Sequence, residues 1–189
     1  MTVYIALLRG INVGGKNRIK MAELKQMFES IGLTDVKTYI QSGNVLFRSA
    51  ETEESLSDRI ETAIKEVFDI STKIILRTSN ELEQILRNIP FSKEEISEAE
   101  KVSNVESLYV ACLKQIPSQE KSISLKGYQS ESDQFRLIGR EVYLLFQHSI
   151  RNSKLADHLH KLEVPLTVRN WKTLNKLSEL AKAMDSNET

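Results

Sequence analysis

The stretch "VKTYIQSGNVLFRS", residues 36–49, decides between two architectures. Two β-prone runs flank the polar tetrapeptide "QSGN", and a polar turn with a central glycine between such runs predicts a β-hairpin. A hairpin joins antiparallel strands. The alternative comes from upstream. Residues 7–17, "LLRGINVGGKN", read from Gly10 as G-x-x-x-x-G-K followed by Asn17. The phosphate loop of nucleotide hydrolases has that spacing and ends in Ser or Thr, whose hydroxyl holds magnesium. Such loops run straight into a helix and belong to mainly parallel sheets. Here Asn17 lacks the hydroxyl, and Ile19 and Lys20 separate the glycines from the next helical pattern. The nearest Asp after an apolar run, Asp69, sits on an amphipathic helix instead of a strand end. The hairpin adds the topological objection, so the nucleotide-hydrolase reading is set aside.

Working outward, "TVYIALLRG" at the N-terminus is a near-continuous apolar run, as a buried strand requires. "MAELKQMFESIG" puts Met21, Leu24, Phe28 and Ile31 on one helical face and ends at Gly32. "TEESLSDRIETAIKEVF" is a second amphipathic helix, with Thr52 at its start and Leu56, Ile60, Ile64 and Val67 along one side. "TKIILRT" is a strand, and Thr78 with Glu81 forms a capping-box pattern for the helix after it. The order is β-α-β-β-α-β plus one helix, the split βαβ pattern of ferredoxin-like folds. The polar stretch 92–104, "SKEEISEAEKVSN", reads as an exposed connecting helix with Ser92 and Glu95 as its capping box.

The same order then returns: strand "ESLYVACLK", a weak helix, two strands around "GRE", a helix "SKLADHLHKLE" capped by Asn152, a short strand "PLTVR" and a last helix. In that last helix Trp171, Leu174, Leu177, Ala181 and Met184 face the core. The expectation is therefore an α+β protein of two tandem ferredoxin-like (βαββαβ) subdomains with an extra C-terminal helix. The first spans 1–91, the connector 92–104 and the second 105–189. The likeness of the two hairpin-plus-helix segments suggests internal duplication.

Bulk properties narrow the function. The 189 residues carry 26 basic and 26 acidic side chains, a net charge of zero. Nucleic-acid and acidic-membrane binders draw their affinity from basic charge, so a dedicated role of that kind is disfavoured. Cys112 is the single cysteine and lies in an apolar run, which points to a core thiol and rules out a disulfide framework within one chain. No basic leader and no long apolar segment are visible, so a cytoplasmic location and no membrane are expected. The histidines suggest no metal: His158 and His160 are two apart, which on a helix puts them on different faces, and His148 stands alone. Ser42 lies on no nucleophile-elbow pattern. No cofactor is expected, and whether the protein is an enzyme is left open.

Three readings of the glycine stretch remain. Gly10, Gly14 and Gly15 fit turns with positive φ, a purely structural role in which Arg9 would be paired to a buried carboxylate. Alternatively, Arg9, Gly10, Asn12, Gly14, Gly15 and Lys16 form a cradle whose cations and amides hold a small anionic, phosphorylated ligand. Gln41, Ser42 and Asn44 on the hairpin tip would orient that ligand, the bland alternative being turn chemistry. Arg169 and Asn170 would contribute from the other half, Asn170 also capping the last helix. The third reading is a non-enzymatic module that binds RNA or a protein through a sheet face, using Tyr4, Tyr39 and Phe47. "NVLFRS" lacks the basic-Gly-aromatic pattern of RNA-recognition strands, which makes RNA the weaker partner. A closed pocket containing Arg9 and Lys16 would favour the ligand. An open face showing Tyr39 and Phe47 would favour the module.

Residues 4–47 closely resemble the opening of a bacterial family of small proteins, domain of unknown function 1697, and "LTVRNWKTLNKL" (166–177) resembles a later stretch of it. The likeness spans Tyr4 to about Leu180. It implies two ferredoxin-like α+β subdomains in a cytosolic protein, tells against the nucleotide-hydrolase fold, and implies no reaction.

Overall fold

The computed structural model describes residues 1–186. The chain runs β1 (Thr2–Leu8), α1 (Met21–Ser30), β2 (Thr34–Tyr39), β3 (Asn44–Ser49), α2 (Glu53–Phe68), β4 (Ile74–Thr78), α3 (Ser79–Arg87) and α4 (Lys93–Val102). It continues through β5 (Leu108–Leu113), α5 (Gln119–Leu125), β6 (Asp133–Ile138), β7 (Glu141–Phe146), α6 (Lys154–Asp157), β8 (Leu166–Asn170) and α7 (Trp171–Asp185). Two four-stranded sheets result, ordered β2-β3-β1-β4 and β6-β7-β5-β8, with every pairing antiparallel. The hairpin at 36–49 is thus the β2–β3 pair, and the protein is mixed α+β with a C-terminal helix.

The chain divides into two compact units: Met1–Gln84 with the described residues from Asn175 onward, and Ile85–Leu174. The expected boundary at 92–104 falls inside the second unit. α7 contributes its distal part to the first. There Arg48 donates to the Met184 carbonyl, and Lys182 pairs with Glu83 at 3.5 Å.

In the first unit, α1 and α2 cover one face of the sheet. Leu24, Phe28, Leu56, Ile60 and Ile64 close over Tyr4, Ala6, Phe47 and Leu76 in one apolar cluster. The opposite face is buried as well, since Val3, Ile5, Leu7, Leu46 and Ile75 are all at most 1 % exposed. Strands buried on both faces read as continuous apolar runs, which is how β1 reads. In the second unit Ala111, Leu113, Val142, Leu144 and Phe146 face Leu125, Leu155 and Leu159. Val110, Cys112 and Tyr143 are buried on the other side of that sheet.

Local expectations fare unevenly. The capping boxes at Thr78–Glu81 and Ser92–Glu95 form, and Thr52 caps α2. Val67, expected inward, is 60 % exposed. The apolar arc of α2 runs through Leu56, Ile60, Ala63 and Ile64, and Phe68 packs on the core in its place. Asn152 does not cap the helix at 153–163. Ser153 does, accepting from the Ala156 amide, and Asn152 ends a preceding 3-10 turn. That helix breaks after Asp157 into a 3-10 segment, Leu159–Leu162. The argument from helix faces assumed a continuous α-helix; across the break the His158 and His160 rings lie 5.8 Å apart. Trp171 is half-buried.

Candidate functional site

The glycine stretch is itself a miniature hairpin. The Lys16 amide donates to the Val13 carbonyl at 3.0 Å, and the Asn12 amide to the Asn17 carbonyl at 3.1 Å. Gly14 (φ 58°) and Gly15 (φ 77°) form its tip. Positive φ at both central residues is what a two-residue turn of the I′ kind demands, so these glycines are there for the turn. A phosphate nest needs amides that converge on empty space. Here the Asn12 and Lys16 amides are bonded across the turn, and the stretch does not run directly into α1, which starts at Met21 after an uncapped Lys20. Two of the amides expected in a cradle, those of Asn12 and Lys16, are thus occupied within the loop.

Asn12 locks this hairpin in place. Its Oδ1 accepts from the Ile19 amide at 2.9 Å, while Nδ2 donates to the Ile19 carbonyl at 3.0 Å and to the Gln41 carbonyl at 2.8 Å. The last of these bonds joins the loop to the β2–β3 tip, so the two polar clusters do meet. Both Nδ2 protons are spent, and the side chain serves as a clamp. Asn44 is similarly occupied: it is fully buried, and its amide donates to the Tyr39 carbonyl (3.0 Å) and to Ser42 Oγ (2.9 Å). Ser42 is half-buried, while Gln41 and Lys16 are exposed. A Cβ on Gly43 would lie 2.9 Å from Leu8 Cβ and 3.0 Å from Ile11 Cδ1, so only glycine lets the tip approach β1 this closely.

Arg9 lies one residue beyond β1 and is exposed, with no carboxylate paired to it among the described residues. It is neither stranded at a buried strand end nor tied to a buried acid. Arg9, Gly10 and Asn17 line an open depression of about 730 Å³, whose other walls are α2 and the segment before β4. Lys16 does not line it. Thr72 Oγ1 donates to the Arg9 carbonyl at 2.7 Å, and the Arg9 amide reaches the Lys73 carbonyl at 3.3 Å. Lys73 Nζ bonds Glu61 Oε2 at 2.7 Å, which holds that ammonium above the ordinary lysine range. Glu61 also accepts from the Ile74 amide at 3.1 Å, pinning α2 to the start of β4. Thr72 and Lys73 went unnoticed in the sequence because no local motif marks them. The topology could have found them: in a β1–β4 antiparallel pair, Leu8 stands opposite Ile74, so the end of β1 must meet the start of β4.

Arg169 and Asn170 belong to the second unit. Asn170 Oδ1 accepts from the Thr173 amide at 2.8 Å and caps α7, as expected. Arg169 is 8 % exposed and donates to Thr167 Oγ1 and to the Val168 carbonyl. Burial pushes its guanidinium down to about 10, still protonated at neutral pH. The aromatics named for an RNA-binding face, Tyr4, Tyr39 and Phe47, do not form an open one. Phe47 is fully buried, stacked on Tyr4 and meeting Phe28 edge-on, and Tyr39 is half-buried. No group of three or more His, Cys, Asp or Glu side chains suited to a metal ion occurs among the described residues. No helix among them is long and apolar enough to cross a membrane.

A family model described as protein of unknown function (DUF1697) matches residues 1–143. The chain belongs to the DUF1697 family. That match holds both hairpin tips and the Arg9 depression, while Arg169 and Asn170 lie beyond it. This DUF1697 chain is also similar to a solved structure, the conserved bacterial protein SP0830 from Streptococcus pneumoniae. The two share 26 % sequence identity with a TM-score of 0.73, over 95 % of this chain and 98 % of that one. No curated protein matches the chain.

Proposed function

We propose that the protein binds a small phosphorylated or otherwise anionic molecule in the depression beside Arg9. The observation that carries this reading is an exposed guanidinium, without an acidic partner among the described residues, at the edge of a depression of about 730 Å³. That volume is in the range of small-molecule sites. A guanidinium offers two parallel N–H donors, a fork that matches phosphate or carboxylate. The Ser71 and Thr62 hydroxyls on the walls are suited to hydroxyl or phosphate oxygens, and Glu61 and Glu66 to a ligand's donors. Of the anion contacts read from the sequence, Arg9 lines the depression and Lys16 does not. Gly10 and Asn17 line the same depression, and Asn12, Gly14 and Gly15 shape the loop that carries them. Gln41 and Ser42 stay secondary candidates for orienting the ligand. The reading is of binding and names no reaction.

The strand orders suit two tandem ferredoxin-like units, and their repetition suits internal duplication. The similarity to a bacterial protein supports a bacterial origin.

A thermal-shift screen tests the site. The panel is phosphate, sulfate, nucleotides, sugar phosphates and a short single-stranded RNA, against wild type, Arg9→Ala and Lys16→Ala. At about a hundred times its dissociation constant a ligand adds about 2.7 kcal/mol, several degrees for a chain of this size. A phosphorylated compound is expected to raise Tm in wild type and Lys16→Ala and to lose the effect in Arg9→Ala. A shift that survives Arg9→Ala, or none from the whole panel, overturns the reading.

A further inference from the structure

Among the described residues, six other than glycine have positive φ: Asn12, Asn17, Asp35, Ile40, Asp69 and Glu163. Five are polar, and Asn and Asp tolerate this region through local hydrogen bonds. Ile40, at φ 48°, is the β-branched one. Its Cγ atoms crowd the backbone there, so the conformation is costly for it and cheap for Asn or Gly. Folding gains little in return, because Ile40 is 49 % exposed. Val13, at the tip of the miniature hairpin, is 65 % exposed. The two sit one residue to either side of the Asn12–Gln41 bond, so a clamp and a glycine contact hold two aliphatic side chains out to solvent. Lys16 and Arg18 flank them, Arg18 lying over Gly15 at 3.5 Å from the position of an added Cβ. Neither cation is paired with an acid among the described residues, and no acidic residue occurs between Arg9 and Lys20.

We propose that the paired tips at 12–18 and 39–43 form a docking surface for an acidic protein segment carrying an aliphatic or aromatic anchor. The anchor seats between Val13 and Ile40, and carboxylates flanking it meet Lys16 and Arg18. Charge complementarity selects the acidic partner. The aliphatic character selects protein over nucleic acid, since Val and Ile offer no ring on which a base could stack. Asn17 of the same tip lines the depression beside Arg9, but Val13, Lys16, Arg18 and Ile40 do not, so substitutions at these four test this surface apart from the ligand reading.

The test selects short peptides from a random displayed library on the full chain, with counter-selection on Ile40→Asn. That variant relieves the backbone strain and is expected to melt at or above the wild-type temperature, so lost binding cannot be ascribed to unfolding. The enriched peptides are expected to place Asp or Glu around Leu, Ile or Phe. By fluorescence anisotropy the best of them should weaken about tenfold in Ile40→Asn, a loss typical of one interface anchor. It should weaken comparably in Lys16→Glu/Arg18→Glu, and progressively as salt is raised. Three results overturn the proposal: no enrichment over Ile40→Asn, enrichment of basic peptides, or a labelled oligoribonucleotide that outbinds every selected peptide and is indifferent to Ile40→Asn.

Discussion

Asn12 and Gly43 do most to hold the two tips together, and each acts through a different physical term. Asn12 supplies three side-chain hydrogen bonds to backbone groups, at 2.8 to 3.0 Å. Truncation to Ala leaves the Ile19 amide and two carbonyls seeking water from a part-buried position, a cost of about 2–3 kcal/mol. Urea unfolding should show that loss as a lower midpoint at unchanged slope. Asn17→Ala, which meets the same left-handed backbone as Asn12→Ala but gives up a single side-chain bond, to the Gly10 carbonyl, is the milder comparison. Gly43 acts by absence. At φ 75° and with Leu8 Cβ 2.9 Å from its would-be methyl, Gly43→Ala meets both left-handed strain and overpacking, together about 2–4 kcal/mol. A Gly43→Ala protein as stable as wild type would show that the tip does not sit against β1 in this way.

At the scale of elements, what could be read from sequence was what local chemistry dictates. The β2–β3 hairpin follows from two β-prone runs around a glycine, and the caps at Thr52, Ser92 and Asn170 follow from side chains that reach only their own helix. The positive φ of Gly14 and Gly15 was legible too, since adjacent glycines suit such a turn, but the cross-turn bonds of Asn12 and Lys16 that make it a miniature hairpin were not. The Arg9 depression was not legible locally, because its walls come from two segments, 9–17 and 61–73, that only the sheet register unites. The α4 cap offers a pH test. Glu95 accepts from Arg136 Nη2 at 2.6 Å and from the Ser92 amide at 2.7 Å, and these bonds, the arginine's first, hold its carboxyl below the ordinary range. A depressed folded pKa gives stability that is fully present above the unfolded value of about 4.5 and is lost as pH falls through the folded one. Glu95→Gln should therefore cost about 0.5–1 kcal/mol at pH 7, solvent exposure keeping it small. The gap to wild type should close on acidification; a gap that persists at pH 2 would mean that the charge is not what matters.

For the whole molecule, the consequential feature is the return of the chain to its first unit. Val3, Ile5, Leu7, Leu46 and Ile75 are buried on the sheet face away from α1 and α2, and Leu177, Ala181 and Met184 of α7 are buried in the same unit. Sequence periodicity showed that α7 has an apolar face without showing which unit would receive it. A fragment of residues 1–91, the subdomain that the sequence suggests, lacks that helix. Losing the burial of Leu177 and Met184 alone removes about 3–6 kcal/mol, on the scale of a small domain's entire net stability of about 5–15 kcal/mol. The fragment should thus show secondary structure without a cooperative thermal transition, and it should bind a hydrophobic dye. Adding a peptide of residues 171–186 should restore cooperativity, because the Arg48–Met184 and Glu83–Lys182 contacts need no covalent link. If the fragment melts cooperatively unaided, with the near-ultraviolet signature of fixed Tyr4 and Tyr39 rings, the first unit is complete without its returning helix, and the boundary belongs where the polar stretch 92–104 first suggested.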